Sequence, residues 1–247
     1  MSTTILAHER FGNGPELVIV LHEFFGNLRT WDPVRAYLNT ARFQYVFADV
    51  RGYGGSRRMK GEFTAAEIAE DARALATSLG AERYHLIGHS MTGLAVQHAL
   101  VHDSKKRIQK VVAVTPVPTD GFEADADTQA FFRRTITDDA TFDQAVQGLT
   151  GQRWDGAFVS FKRAQNRSSS DPEVMKAYLE RMIFPGGFAA AAQNAQVDTP
   201  LLVVAGAHDF PGMRLADLQR SMGDAFSGVQ WHELIGAGHY PMDESPV

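Results

Sequence analysis

Apolar residues in this chain fall in short unbroken blocks separated by stretches of helical period. Leu17-Val18-Ile19-Val20-Leu21, Tyr45-Val46-Phe47-Ala48, Arg83-Tyr84-His85-Leu86-Ile87, Lys110-Val111-Val112-Ala113-Val114 and Leu201-Leu202-Val203-Val204-Ala205 have strand length and β-branched content, and a further strand is predicted from Val229 to Ile235. Blocks without polar alternation are buried on both faces, as in a parallel sheet covered by helices. Weak alternation from Thr3 to Arg10, followed by the turn signal Gly12-Asn13-Gly14-Pro15, predicts an antiparallel edge hairpin leading into the first block.

Helical patterns fill the gaps. Thr30, followed by Pro33, is read as the capping start of a helix running to Leu38. Thr64-Ala65-Ala66-Glu67 is a capping box, Phe63 and Ile68 have the spacing of a hydrophobic staple, and Ile68, Ala72, Leu75, Ala76 and Leu79 form one stripe that stops at Gly80. Leu94 to Val101 and Met213 to Met222 are helical as well.

From Pro116 to about Asp198 strands vanish and helical patterns take over, among them a second capping box, Ser170-Asp171-Pro172-Glu173. Aromatic residues such as Phe122, Phe132, Phe158 and Phe184 are spread through this stretch, some as helical core and some as the apolar side of a lid. The fold class is therefore α/β: a mostly parallel, doubly wound sheet formed by residues 1–115 and 199–247, with a helical insertion over 116–198.

Composition narrows the functions. A chain of 247 residues suits one large α/β domain, and a net charge of -5 leaves no basic footprint for nucleic acid. No apolar run reaches the roughly 18 residues of a membrane span, and Met1-Ser2-Thr3-Thr4-Ile5 lacks a leader pattern, so a cytoplasmic location without membrane contact is expected. The absence of cysteine excludes disulfides and a thiol nucleophile. His8, His85, His98, His102 and His232 show no metal-ligand grouping, and no cofactor or metal is expected.

The candidate chemistry sits at strand ends. Gly88-His89-Ser90-Met91-Thr92-Gly93 runs from a strand into a helix with Ser90 at the apex, close to the G-x-S-x-G pattern of a nucleophile elbow. Serine needs a base, and the base needs a group to hold its tautomer. Asp209 and His239 each follow a predicted strand, in the order Ser, Asp, His, and residues after parallel strands converge on one edge of the sheet. Asp120 follows another strand and is the alternative acid. The glycines of Asp49-Val50-Arg51-Gly52-Tyr53-Gly54-Gly55-Ser56 lack both phosphate-loop spacings and are read as a tight structural loop.

These segments together resemble the cap-bearing serine hydrolases of the α/β-hydrolase fold, over nearly the whole chain. His22-Glu23-Phe24 stands where that family has His-Gly and then an oxyanion-hole amide, Ala207-His208-Asp209 resembles its acid loop and Gly236-Ala237-Gly238-His239-Tyr240-Pro241 its histidine loop. The resemblance implies a Ser90-His239-Asp209 triad, an oxyanion hole from the amides of Phe24 and Met91, and a helical cap over a small-molecule substrate. Glu23, Phe25 and His89 are the candidate substrate-binding residues, although His22 and His89, as members of loop motifs, also have a structural reading.

Three departures mark this chain. Glu23 replaces a glycine beside the oxyanion loop; a carboxylate there opposes the developing charge, so it is expected to point away, pair with a cation or hold a polar substrate group. Thr92 replaces the second elbow glycine and is expected to narrow the crossing of strand and helix. His239 lies eight residues before Val247, where the family has a final helix, so either a truncated protein or a bare histidine loop is expected. The favoured activity is hydrolysis of a small, mainly apolar carboxylic ester or lactone. Carbon–carbon bond hydrolysis of the meta-cleavage type and a slow-turnover small-molecule receptor are the alternatives, with cofactor-free perhydrolysis as a side reaction.

Overall fold

A computed structural model describes residues 5–195, 197–226 and 228–246. The expectations placed on Met1 to Thr4 and on Val247 lie outside them. The strand blocks form a seven-stranded sheet: β1 (His8–Phe11), β2 (Glu16–Leu21), β3 (Phe43–Ala48), β4 (Tyr84–His89), β5 (Ile108–Val114), β6 (Leu201–Gly206) and β7 (Gln230–Leu234), in the order β1-β3-β2-β4-β5-β6-β7. All neighbours from β3 to β7 are parallel.

The edge hairpin expected from the first turn does not form. β1 pairs antiparallel with β3, His8 opposite Ala48, and β2 lies on the far side of β3. Gly12, at φ 83°, and the amides of Asn13 and Gly14, which donate to Thr40 and Phe43 carbonyls, carry the chain across the end of β3 instead of back along β1. A turn signal fixes a reversal but not which strand receives it.

Helix starts obey local chemistry with two shifts. The capping box at Thr64 opens α1 (Ala65–Ser78), its hydroxyl accepting from Glu67 N at 3.2 Å. The segment expected to start at Thr30 is a 3₁₀ helix, Leu28–Tyr37, capped by Asn27; Thr30 is buried and gives its hydroxyl to Glu23. Asp171, not Ser170, holds the N-cap position of the helix beginning at Pro172 but makes no side-chain cap bond, its carboxylate accepting from Arg57 instead, while the Ser170 hydroxyl donates to Gly52 O.

After β4 comes α2 (Met91–Val101), which is buried along most of its length. Between β5 and β6 the chain forms α3 (Ala126–Thr135), α4 (Asp139–Leu149), α5 (Gly156–Ser169), α6 (Pro172–Tyr178), a π-helical turn Leu179–Ile183 and α7 (Ala189–Ala195). α8 (Leu215–Met222) precedes β7, and the one-turn helix α9 (Pro241–Glu244) follows it. No helix among the described residues is long and apolar enough to cross a membrane. The C-terminal ends of β2, β4, β6 and β7 share one edge of the sheet, which is where ligands bind in open α/β sheets.

Candidate active site

Ser90 occupies the turn between β4 and α2 at φ 54°, ψ -113°, a conformation that non-glycine residues rarely adopt. Its amide donates to Val114 O and its carbonyl accepts from Val117 N, so β5 and the following loop hold the turn in place. Close packing explains the neighbouring glycines. A Cβ on Gly88 would lie 2.3 Å from Thr92 O, and one on Gly93 would lie 2.6 Å from Pro116 Cβ. Thr92 does not narrow this crossing, since the contact is made by its backbone. Its side chain is instead a clasp, accepting from His89 N at 2.9 Å and lying within donor reach of Leu21 O.

His239 joins the elbow to β6 and β7. Its Nε2 is 2.8 Å from Ser90 Oγ and its Nδ1 is 2.8 Å from Asp209 Oδ2. Asp209 is fully buried, accepts the Phe210 amide on Oδ1 and holds Arg214 through its carbonyl. Burial raises its carboxyl above the ordinary range against the pull of His239. Asp120, the alternative acid, lies exposed on a turn after β5.

The histidine loop is not bare, because Glu244 clamps it. Its carboxylate accepts the amides on either side of His239, Gly238 N at 3.0 Å and Tyr240 N at 2.9 Å, and also Arg153 Nη2 and Trp154 Nε1. His239 N itself donates to Leu149 O at 2.8 Å. No motif in the sequence points to Glu244.

The loop after β2 is fixed with similar economy. His22 Nε2 accepts from Val50 N, which leaves Nδ1–H to donate to Glu23 O at 2.8 Å. Glu23 O and the Phe24 N–H belong to one planar peptide, so His22 sets the direction of the Phe24 amide. Tyr53 OH donates to Phe24 O. The glycine-rich loop that carries Tyr53 wraps Asp49, whose oxygens accept Leu28 N and Gly55 N. Met91 is the first residue of α2, and a helix leaves its first amides without internal partners.

Glu23 is buried and paired with a cation that sequence reading missed. Lys162 Nζ on α5 lies 3.3 Å from Glu23 Oε1, and Thr30 Oγ1 lies 3.1 Å from the same oxygen. Burial alone would raise the Glu23 carboxyl, but the charge of Lys162 is the main influence that outweighs it and holds the group well below the usual carboxylate range. Phe25 packs on Phe24 and Phe142 and lines the cavity. His89 stands behind the site, its Nε2–H donated to His239 O at 2.7 Å, and is absent from the cavity wall.

The cavity over Ser90 is narrow, about 40 Å³, and is lined by Ser90, His239 and Glu23 with an otherwise almost wholly apolar wall that includes Phe24, Phe132 and Phe184. With about 10–15 Å³ needed per water position, it holds three or four such positions. The π-helical turn shapes one side. The Phe184 amide reaches back to Leu179 O, and Leu179, Ile183 and Phe184 all face the cavity.

A mostly parallel sheet with a serine on a strained strand-to-helix turn, and a histidine and aspartate brought to it from later strand ends, defines an α/β-hydrolase architecture. The chain belongs to the alpha/beta hydrolase fold family, whose model matches residues 16–246. A fluoroacetate dehalogenase of a Burkholderia species is 35% identical over 113 residues, a match that spans 44% of this chain and 36% of that protein. A bromoperoxidase from Bacillus anthracis superimposes with a TM-score of 0.84 at 19% identity, covering 96% of this chain and 89% of that one. An enol-lactonase from Burkholderia xenovorans LB400 gives 0.77 at 19%, covering 96% and 90%. At such identities the two structures speak to the fold alone.

Proposed function

We propose that the protein hydrolyses small, mainly apolar carboxylic esters or lactones by acyl transfer through Ser90, His239 and Asp209. The observation that carries this reading is the unbroken hydrogen-bond chain from Ser90 Oγ through His239 to Asp209 at the foot of an apolar cavity. His239 Nε2 takes the Ser90 proton as Oγ bonds to the substrate carbonyl carbon, and the Phe24 and Met91 amides donate to the oxyanion. His239 then gives its proton to the leaving oxygen as the carbon–oxygen bond breaks. A water surrenders a proton to His239 and its hydroxide attacks the acyl carbon, which releases the acid and returns the proton to Ser90.

Asp209 keeps the Nδ1–H tautomer and stabilises the imidazolium. In this reading the helices between β5 and β6 act as the cap, and the narrow cavity selects short acyl groups. Phe25 belongs to the substrate wall, whereas the pairing of Glu23 with Lys162 supports the ion-pair role over direct substrate contact.

The test is turnover of p-nitrophenyl acetate, butyrate and octanoate and of γ- and δ-lactones, with acid quench and mass analysis of the protein. We expect multiple turnovers on the short members and a transient acyl adduct on Ser90. Asp209→Asn is expected to lower kcat by about 10³- to 10⁴-fold through the wrong histidine tautomer. A single stoichiometric binding event with no turnover on any ester or lactone would favour the receptor alternative.

A further inference from the structure

Glu23 is the residue immediately before the proposed oxyanion donor Phe24, and it lines the same cavity as Ser90 and His239. Acyl transfer builds negative charge on the carbonyl oxygen, so an uncompensated carboxylate at this place would oppose the reaction. Compensation must come from a fixed cation, and the histidines around Glu23 do not supply one. His22 is an acceptor at Nε2 and a donor at Nδ1, the neutral pattern. His89 gives Nε2–H to His239 O, so in its neutral form it turns an Nδ1 lone pair toward Glu23 Oε2 at 3.4 Å. Burial further lowers the tendency of His89 to take a second proton, with Glu23 pulling the other way.

Lys162 is a different kind of neighbour. It is wholly buried, which lysine almost never is without a partner. Its ammonium reaches Glu23 Oε1 at 3.3 Å, Asp243 Oδ2 at 3.5 Å and Gln165 Oε1 at 3.1 Å, and lies 4.3 Å from the centre of the Tyr240 ring. One lysine on α5 thus touches the loop after β2 and the turn after His239.

We propose that Lys162 is a positioning residue for acyl transfer: its ammonium offsets the Glu23 carboxylate, so that the Phe24 amide holds an oxyanion with that neighbouring charge compensated. This rests on the acyl-transfer reading above. The other groups facing Glu23 set the sign of the pH dependence. Tyr53 and Tyr240 are kept neutral by burial, and Asp243 adds negative charge as it ionises. Without Lys162, Glu23 becomes a buried carboxylate with no fixed cation beside it and ionises only at higher pH. Any protonation of His89 acts in the same sense, since it compensates Glu23 at low pH and fades as pH rises. Catalysis by such a variant therefore fades as pH climbs.

The experiment is the pH profile of kcat on p-nitrophenyl acetate between pH 5.5 and 9 for wild type, Ser90→Ala, Lys162→Met, Glu23→Gln and the Glu23→Gln/Lys162→Met pair, with circular dichroism of each. Lys162→Met is expected to show a descending limb absent from wild type, with at least a tenfold deficit at pH 8.5, and Glu23→Gln in that background is expected to restore most of it. A wild-type profile in folded Lys162→Met, or a double variant no faster than Lys162→Met, overturns the proposal. If Lys162→Met does not fold, the step from Glu23→Gln to the double variant decides: a loss below about threefold supports the proposal and one above tenfold overturns it. Wild-type turnover that survives in Ser90→Ala removes the acyl-transfer reading itself, and the proposal falls with it.

Discussion

Glu244 shows how one side chain can hold a reacting group it never touches. Its carboxylate takes the amides on both sides of His239, and Arg153 and Trp154 secure it from the segment between α4 and α5. Glu244→Ala would leave the Gly238 and Tyr240 amides, on buried residues, unpaired, at a cost of about 1–3 kcal/mol for the unsatisfied groups. We expect kcat on a short ester to fall about 10- to 100-fold with KM little changed, as for a misplaced base. A thermal melt and steady-state kinetics check both parts; full activity with a lowered Tm would assign Glu244 to stability alone. Ser90, Asp209 and His239 were legible because each follows a strand block and the strand ends share an edge. Glu244 and Lys162 were not. Glu244 carries no motif, and the partner of Lys162 lies 139 residues away, a separation that only the packed helix α5 brings to 3.3 Å.

At the scale of elements, β2, β3 and β6 were readable because their buried stretches are apolar runs with little polar alternation to blur them. Pairing was less so. The first turn was visible, yet β1 joined β3, since strand order depends on where the loop crosses and not on the turn residues. Helix caps shifted wherever a side chain had a better long-range partner, as Thr30 has in Glu23 and Ser170 in Gly52 O.

The last turn of α2 carries a pH-sensitive pair. His98 stacks on His102 at 4.1 Å and meets Phe188, and burial, then the His102 charge, pushes its pKa down to about 4. A helix C-terminus ordinarily favours a cation, but here desolvation wins. The unfolded histidine binds a proton below about pH 6.5 and the folded one only below its lowered pKa, so the native state binds fewer protons in between. Stability therefore declines as pH falls from 6.5 to 4, by on the order of 1 kcal/mol after allowance for the partly exposed ring. Tm measured at pH 7.5 and 5 should fall further for wild type than for His98→Gln. Equal falls would contradict this assignment.

For the molecule as a whole, one sheet edge, one run of helices and one narrow cavity work as a unit. The roughly 40 Å³ over Ser90 leaves room for a short acyl chain, and Phe184 at the end of the π-helical turn closes one side. Phe184→Ala should shift preference toward longer esters, raising kcat/KM for octanoate relative to acetate about tenfold, the scale of a methylene or two in an apolar pocket. An unchanged ratio would place the limiting wall elsewhere. The sequence showed that aromatic residues are spread through positions 116–198, but not which of them turn inward, because helix docking is set by packing that periodicity does not encode. Activation of Ser90 is read from intact-protein mass before and after exposure to a fluorophosphonate, with the labelled peptide mapped and Ser90→Ala as the comparison. An activated serine predicts one adduct, on Ser90, absent from the variant; a folded wild-type protein that takes no adduct, or takes it elsewhere, would contradict the acyl-transfer account.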